Sequence, residues 1–253
     1  MRILALDSTT RAGSVALIVS DEGAVCFVDQ RAGDESRTHA ERLPADLLSL
    51  LAAHGLTLSA IDLFAVASGP GLFTGLRVGI ATMQGFSLVE GKPLIGVSAL
   101  DAIAHLASRD ALPNDLVAAW MNAHRRDVFT SLHLVGIGPV FDPRRLEERE
   151  GPRVGDPAVT LARWIDSGAA PALLAGDGAL LYGDLIGVRL PEVRIVDPGP
   201  LAAAIGFIAD ARHRRGDRGS AAGVVPLYVR RPDAELARDH ALADRNAHLD
   251  RSD

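Results

Sequence analysis

SGPGLFTGLRVG, residues 68–79, is the stretch on which the fold turns. The apolar run Leu63–Ala67 leads into it, and the uncharged run Val78–Val89 leads out, which predicts strand, glycine turn and helix. Gly69, Gly71 and Gly75 let the backbone turn sharply and reach φ > 0 without a Cβ penalty. Thr74 is placed to cap the helix by accepting from a free N–H of its first turn. Such a turn aims N–H groups and the positive end of a helix dipole outward, a generic anion site. No Gly-Lys-Ser/Thr follows, and the glycines fall one residue out of step with the dinucleotide fingerprint, so a structural turn and a phosphate site both stay open.

The helix beyond the turn is unusual. Between Val78 and Val89 its only polar residues are Thr82, Gln84 and Ser87. A helix that is apolar nearly all round must be covered on more than one side. A sheet covers one side, and either the chain itself or a partner covers the other. Leu47 and Leu51 of the preceding helix extend the same patch, so Leu47, Leu51, Leu76, Ile80, Met83 and Phe86 are the expected partner-binding residues. On this reading Met83→Asp or Phe86→Asp leaves the fold intact and abolishes pairing.

The chain of 253 residues is 48% hydrophobic with net charge −6, which describes a folded globular protein and argues against a broadly basic nucleic-acid binder. Cys26 is the single cysteine, so no disulfide forms within the chain and a reducing compartment fits. The opening MRILALDSTT has too short an apolar run for a secretory signal, and no uncharged run approaches the length of a membrane span. A cytoplasmic protein is expected.

In order, Ile3–Leu6, Ser14–Val19 and Ala24–Val28 predict an antiparallel meander, with Asp7 at the tip of the first strand. Asp7 and the hydroxyl residues after it suit a phosphate or hydrated magnesium, or an Asx-type turn in which Asp7 bonds the backbone ahead of it. Thr38 and Glu41 form a capping box, Leu43, Leu47, Leu50, Leu51 and His54 share a helical face, and Gly55 ends the element. One turn after His39 stands Leu43, so no two-ligand helical metal clamp exists, and His39 reads as a surface histidine. Pro93–Val97 is a strand, and Ser98 with Asp101 caps a helix to Ala107. The pattern then restarts: strand Val117–Met121, turn Asn122–Arg126, strand Asp127–Val135, strand Leu173–Ala175 and helix Ala179–Ile186, a duplicated architecture. Helix Leu201–Arg215, a short strand Leu227–Val229 and a charged tail, Asp233–Asp253, frayed or a solvated helix, complete the chain.

This order of elements resembles the actin-like ATPase superfamily. Five strings resemble the TsaB (YeaZ) family within it: ILALDSTTRAGSVAL at 3–17, HAERLP at 39–44, GPGLFTGLRVGIATMQG at 69–85, IGVSALDAI at 95–103 and PLYVRRPDAE at 226–235. The resemblance implies an α/β fold of two ribonuclease-H-like lobes with mixed sheets flanked by helices. The lobes are expected at 1–104 and 105–232, the C-terminal helix packing back, with the tail at 233–253. It further implies a non-catalytic subunit in the making of threonylcarbamoyladenosine in tRNA. Such a subunit pairs through first-lobe helices with the catalytic subunit TsaD, is assisted by the ATPase TsaE, meets tRNA only through the complex, and forms a homodimer when alone. No catalytic residue, metal or required cofactor is implied. A degenerate nucleotide site at Asp7, Gly69, Gly71 and Thr74, with an adenine nucleotide at the partner interface, is the remaining expectation. Relatives show Asp-Ala-Arg-Arg-Gly-Glu-Val-Tyr where this chain has Asn122-Ala123-His124-Arg125-Arg126-Asp127-Val128-Phe129, and Leu72 replaces a common serine, which speaks against independent ATP hydrolysis. A glycoprotease-like peptidase or an autonomous ATPase is the alternative. The chain shows no His-x-x-x-His pair with a glutamate and no Gly-x-Ser-x-Gly elbow to support a peptidase.

Overall fold

The run Ile3–Leu6 has no polar alternation, as a strand buried on both faces requires. The computed structural model, which describes residues 1–22 and 24–230, places it in β1 (Arg2–Asp7), the middle strand of a five-stranded sheet of order β3-β2-β1-β4-β5. β2 (Ser14–Asp21) and β3 (Ala24–Ala32) form the antiparallel meander, and β4 (Leu63–Gly69) and β5 (Leu94–Ser98) add parallel strands on the other side of β1. Helices α1 (His39–Ala53) and α2 (Phe73–Glu90) cover one face, where Leu43, Leu47, Leu50, Ile80 and Met83 meet Leu4, Leu6, Leu17 and Phe64. The capping box of Thr38 and Glu41 forms as expected, and Gly55, at φ +64°, closes α1.

The second sheet repeats this wiring. β6 (Leu116–Asn122), β7 (Val128–Val135) and β8 (Leu146–Gly155) are its meander. Helix α4 (Pro157–Asp166) leads to β9 (Leu173–Ala175), α5 (Asp177–Leu181) and α6 (Gly183–Arg189) to β10 (Arg194–Val196), for an order of β10-β9-β6-β7-β8. Two helices, α3 (Ala99–Ala107) and α7 (Ala202–Arg214), belong to the core that joins both sheets: Leu100, Ile103, Ile205 and Ile208 pack with Ile3 and Ile18 of one and Val117 and Leu173 of the other. Gly206 lets α7 come that close, because a Cβ there would collide with Ile18.

Three expectations change. The helix foreseen at 179–186 is two short helices, α5 and α6. β8 and α4 carry no counterpart in the sequence reading; β8, LEEREGPRVG, is an edge strand guarded by charge and a proline, which erases its hydrophobic signal. Leu227–Val229 is not a strand but an extended strap, joined to the end of β4 by Leu227 N–H donating to the Ser68 carbonyl at 2.7 Å. The tail foreseen at 233–253 lies outside the described residues. Among the described residues no helix is long and apolar enough to cross a membrane.

Burial leaves a pH signature between α3 and β7. His105 and His133 are both pushed down to about 4, chiefly by burial; His105 also faces His133, Arg145 and Asp142. The unfolded chain takes up protons on both below their ordinary pKa while the folded chain refuses them, so stability falls as pH drops from the mid-sixes toward 4. Asp101 works in the opposite sense: burial and then Glu148 raise it to about 6, so its contribution is present at low pH and lost as pH rises. Two groups outweigh one. Acidifying from about pH 7 to about pH 5 is expected to cost on the order of 1–2 kcal/mol per histidine before the aspartate offset. Thermal melts across that range check it; a flat melting temperature, or an equal slope in His133→Gln, contradicts it.

Candidate functional site

The loop Ser8–Gly13 leaves β1 and enters the wedge between α1 and α2. Asp7 is buried, and the N–H and Oγ of Thr9 both donate to its Oδ1, at 2.9 and 2.6 Å. This is the Asx-type turn. Burial raises the Asp7 pKa, the Thr9 bonds oppose that rise, and the charge of Asp177 across the cleft adds to it. Beyond Thr9 the loop's carbonyls are held by α1. His39 Nε2 lies 2.9 Å from the Thr10 carbonyl, while its Nδ1 lies 3.1 Å from Arg42 Nη2. Arg42 can only donate, so Nδ1 accepts and Nε2 carries the proton. The buried Arg42 also reaches the carbonyls of Ala12 and Arg11 and pairs with Asp46 at 2.8 Å. His39 is therefore not a surface histidine. It is half-buried, with both ring nitrogens committed to holding the loop, and burial lowers its pKa. Among the described residues no group of three His, Cys, Asp or Glu is gathered to hold a metal.

On the other flank the loop meets a stripe of glycines. A Cβ on Gly71 would stand 2.6 Å from the Thr9 carbonyl oxygen, one on Gly75 would strike the Ser8 carbonyl and lie 2.8 Å from His39 Cδ2, and one on Gly79 would strike Ser8 Oγ. These glycines admit the chain's own loop. The helix starts at Leu72, whose N–H donates to the Thr9 carbonyl at 2.9 Å; Thr74 lies inside the first turn, exposed, and makes no cap. Gly69, at φ +114°, packs against the strap, a Cβ there approaching the Leu227 carbonyl at 3.0 Å. The residues expected at a nucleotide site thus part company. Asp7 lines a cavity of about 170 Å³ with Asp177 and Asp197, Gly71 lines a different one of about 530 Å³, and Thr74 lines neither. A phosphate would find three carboxylates in the first cavity, and the glycine spaces are filled. The residues present do not fit a magnesium–ATP cradle.

The expected partner-binding residues also move. Leu47, Leu51, Leu76, Ile80 and Met83 are buried in the chain's own core, and Phe86 is half-buried against Phe64 at 6.4 Å between centroids. The side of α2 that carries them is covered by α1 and the sheet. The open side is the one bearing Thr74, Arg77, Ala81, Gly85, Leu88 and Val89. Leu88 is 72% and Val89 80% exposed, and a Cβ on Gly85 would meet nothing within 4 Å. At the N-terminal end of this stripe, Arg77 lies over the Phe73 ring at 3.9 Å and donates through Nε to the Tyr228 hydroxyl at 2.8 Å, while Phe73 and Tyr228 stack at 5.4 Å. Arg42, Arg77 and Tyr228 escaped the sequence reading, because a charged residue in a loop or helix gives no local sign of where its head will be held.

Opposite the glycine turn, the second-sheet turn Asn122–Asp127 holds His124, Arg125 and Arg126 at φ +57°, +53° and +67°. Asp177 Oδ1 accepts from the N–H of Asn122 at 3.0 Å, and Arg230 forks to the Ala123 carbonyl at 2.8 Å and Asp127 Oδ2 at 2.5 Å. The strap thus ties the glycine turn to this second turn.

Residues 33–135 match the family described as TsaD, tRNA N6-adenosine threonylcarbamoyltransferase. The chain is 32% identical over 197 residues to the tRNA threonylcarbamoyladenosine biosynthesis protein TsaB of Escherichia coli, covering 72% of this chain and 81% of that one. It is 33% identical over 233 residues to an uncharacterized protein of Mycobacterium tuberculosis, covering 92% and 93%. A crystal structure from Pseudomonas aeruginosa, described as similar to the peptidase YeaZ, matches with TM-score 0.70 at 30% identity, covering 90% of this chain and 99% of that one. YeaZ of the same organism matches with TM-score 0.68 at 28% identity.

The two flanks of α2 give opposite expectations for one substitution. Gly85→Ala fills open space on a helix and should stabilise by about 0.5–1 kcal/mol. Gly75→Ala collides with a backbone carbonyl and should destabilise by about 1–3 kcal/mol. Urea unfolding of both variants checks the sign; equal shifts would mean that α2 is not seated as described. Met83→Asp, expected earlier to spare the fold, buries a carboxylate in the core and should unfold the chain.

Proposed function

The chain belongs to the TsaB (YeaZ) family, and on that premise we propose that it serves threonylcarbamoyladenosine formation in tRNA as a non-catalytic subunit, pairing with a TsaD-like threonylcarbamoyltransferase. The observation that carries this reading is the open side of α2. Ala81 and Gly85 allow another backbone to approach, and the exposed Leu88 and Val89 gain by leaving water. The matched TsaD description spans α1 and α2, so a TsaD-like partner offers an equivalent pair of helices, and two like faces can meet about a pseudo-two-fold axis. The same symmetry lets a second copy cover the face when the chain is alone. A TsaE-like ATPase and tRNA join through the complex, in keeping with a net charge of −6. The setting is cytoplasmic, where tRNA is modified.

The non-catalytic part of the proposal rests on how the chemically competent side chains are used. His39 holds the loop, and the Ser131–His133 pair, bonded at 2.9 Å, is buried in β7. A peptidase would need such a pair to open on a cleft.

Ala81→Arg places a charge on the open face without touching the core. It is expected to leave the melting temperature within a few degrees of wild type, to abolish co-purification with the TsaD-like subunit, and to lower tRNA modification at least about tenfold. Wild-type pairing by this variant, or undiminished modification with the chain omitted, refutes the proposal.

A further inference from the structure

The stripe on α2 does not end at Arg77. Its guanidinium continues into an exposed stack, Phe73 and Tyr228, which are 49% and 43% exposed. Large apolar residues left half in water usually lose that exposure on binding, and aromatic and arginine side chains are the commonest anchors of protein interfaces. Behind the stack opens the cavity of about 530 Å³, floored by Pro70, Leu72, Phe129 and Val229. Among the described residues no acidic side chain lines it, whereas Arg125 and Arg230 do. The neighbouring carboxylate, Asp127, is taken by Arg230. Among the described residues Arg77 contacts a hydroxyl and two rings and meets no carboxylate, which leaves most of its five N–H donors open. In a chain of net charge −6, this is a cationic, aromatic-rimmed recess next to an apolar helix face.

We infer that this recess is the second half of the docking surface: the protein partner that covers α2 inserts a segment here, with an apolar side chain under the Phe73–Tyr228 rim and a carboxylate against Arg77. The inference rests on the proposed pairing through α2, and it goes further by making the strap part of the interface. Charge complementarity chooses the occupant. An acidic segment completes the donors of Arg77, whereas a basic one is repelled by its charge. The small stripe lets the backbones close, and the recess supplies the anchor and the partner's signature. Seating a side chain here also presses on Tyr228, two residues from the Arg230 fork that holds the Asn122–Asp127 turn.

The test is calorimetric titration of the full chain with the purified TsaD-like subunit of the same organism, at low and high salt. Tyr228→Ala is expected to weaken pairing at least about tenfold, and Arg77→Glu more; Arg77→Gln should remove most of the salt dependence. Tyr228→Phe keeps the stack and should stay within about threefold of wild type, which guards against a folding defect as the cause. Ala81→Arg is the reference. If it abolishes pairing while Tyr228→Ala and Arg77→Glu bind as wild type does, the recess is no part of the interface and the helix reading survives. If Ala81→Arg itself pairs normally, the helix reading has failed and the inference fails with it. Retained salt dependence in Arg77→Gln likewise overturns the carboxylate assignment.

Discussion

The seating of one loop decides most of this molecule. Ser8–Gly13 fills the wedge between two helices, and its carbonyls are claimed from α1 by His39 and Arg42. Burying a guanidinium is expensive unless its donors are met, and here backbone carbonyls and Asp46 meet most of them. Once the loop is fixed, α2 can approach only through residues without a Cβ, and Gly71, Gly75 and Gly79 recur at every fourth position to allow it. That requirement fixes the rotation of α2 about its axis. The faces left and right of the glycine stripe go to the core, and what remains outside is Arg77, Ala81, Gly85 and Leu88.

The two sheets share a plan and have diverged at their tips. In the first, an acidic residue caps a tight Asx-type turn. In the second, Asn122 takes the equivalent place and three successive non-glycine residues adopt left-handed backbone, at a cost of roughly 1 kcal/mol or more each. Such a turn persists only where its surroundings over-determine it. Arg230, Asp177 and the Asn122 side chain supply those restraints. Both tips are thus spent on internal bonds.

Much of this was legible in the sequence, and the failures have a common physical origin. The meander, the capping box, the glycine turn and the restart at Val117 depend on local patterning, and local patterning was enough. The phase of α2 was not legible. A helix apolar all round has no hydrophobic direction, so choosing Leu76, Ile80 and Met83 as the outward side was a choice between equals. The deciding fact, contact of Ser8 with Gly75 and Gly79, joins residues about seventy positions apart. Gly71 was read as freedom of φ, whereas its use is room for the Thr9 backbone; close backbone approach at Gly75 and Gly79 was foreseen, but not that the chain's own loop makes it. Thr74 failed similarly: the Thr9 carbonyl had already set the helix start at Leu72.

One consequence concerns the cost of being alone. Val78–Val89 bears no charge, and its side bearing Ala81, Gly85, Leu88 and Val89 has no cover among the described residues. A surface helix ordinarily protects itself with charge on the outer side, and nothing in the fold forbids lysine or glutamate at positions 81, 85 or 88. Gly85 carries a further penalty, since glycine in a helix interior is roughly 0.5–1 kcal/mol worse than alanine and no contact among the described residues demands it. The inner glycines are accounted for by the loop. The outer one, with the uncharged residues beside it, has no such use among the described residues, which is the asymmetry that the proposed pairing through α2 explains.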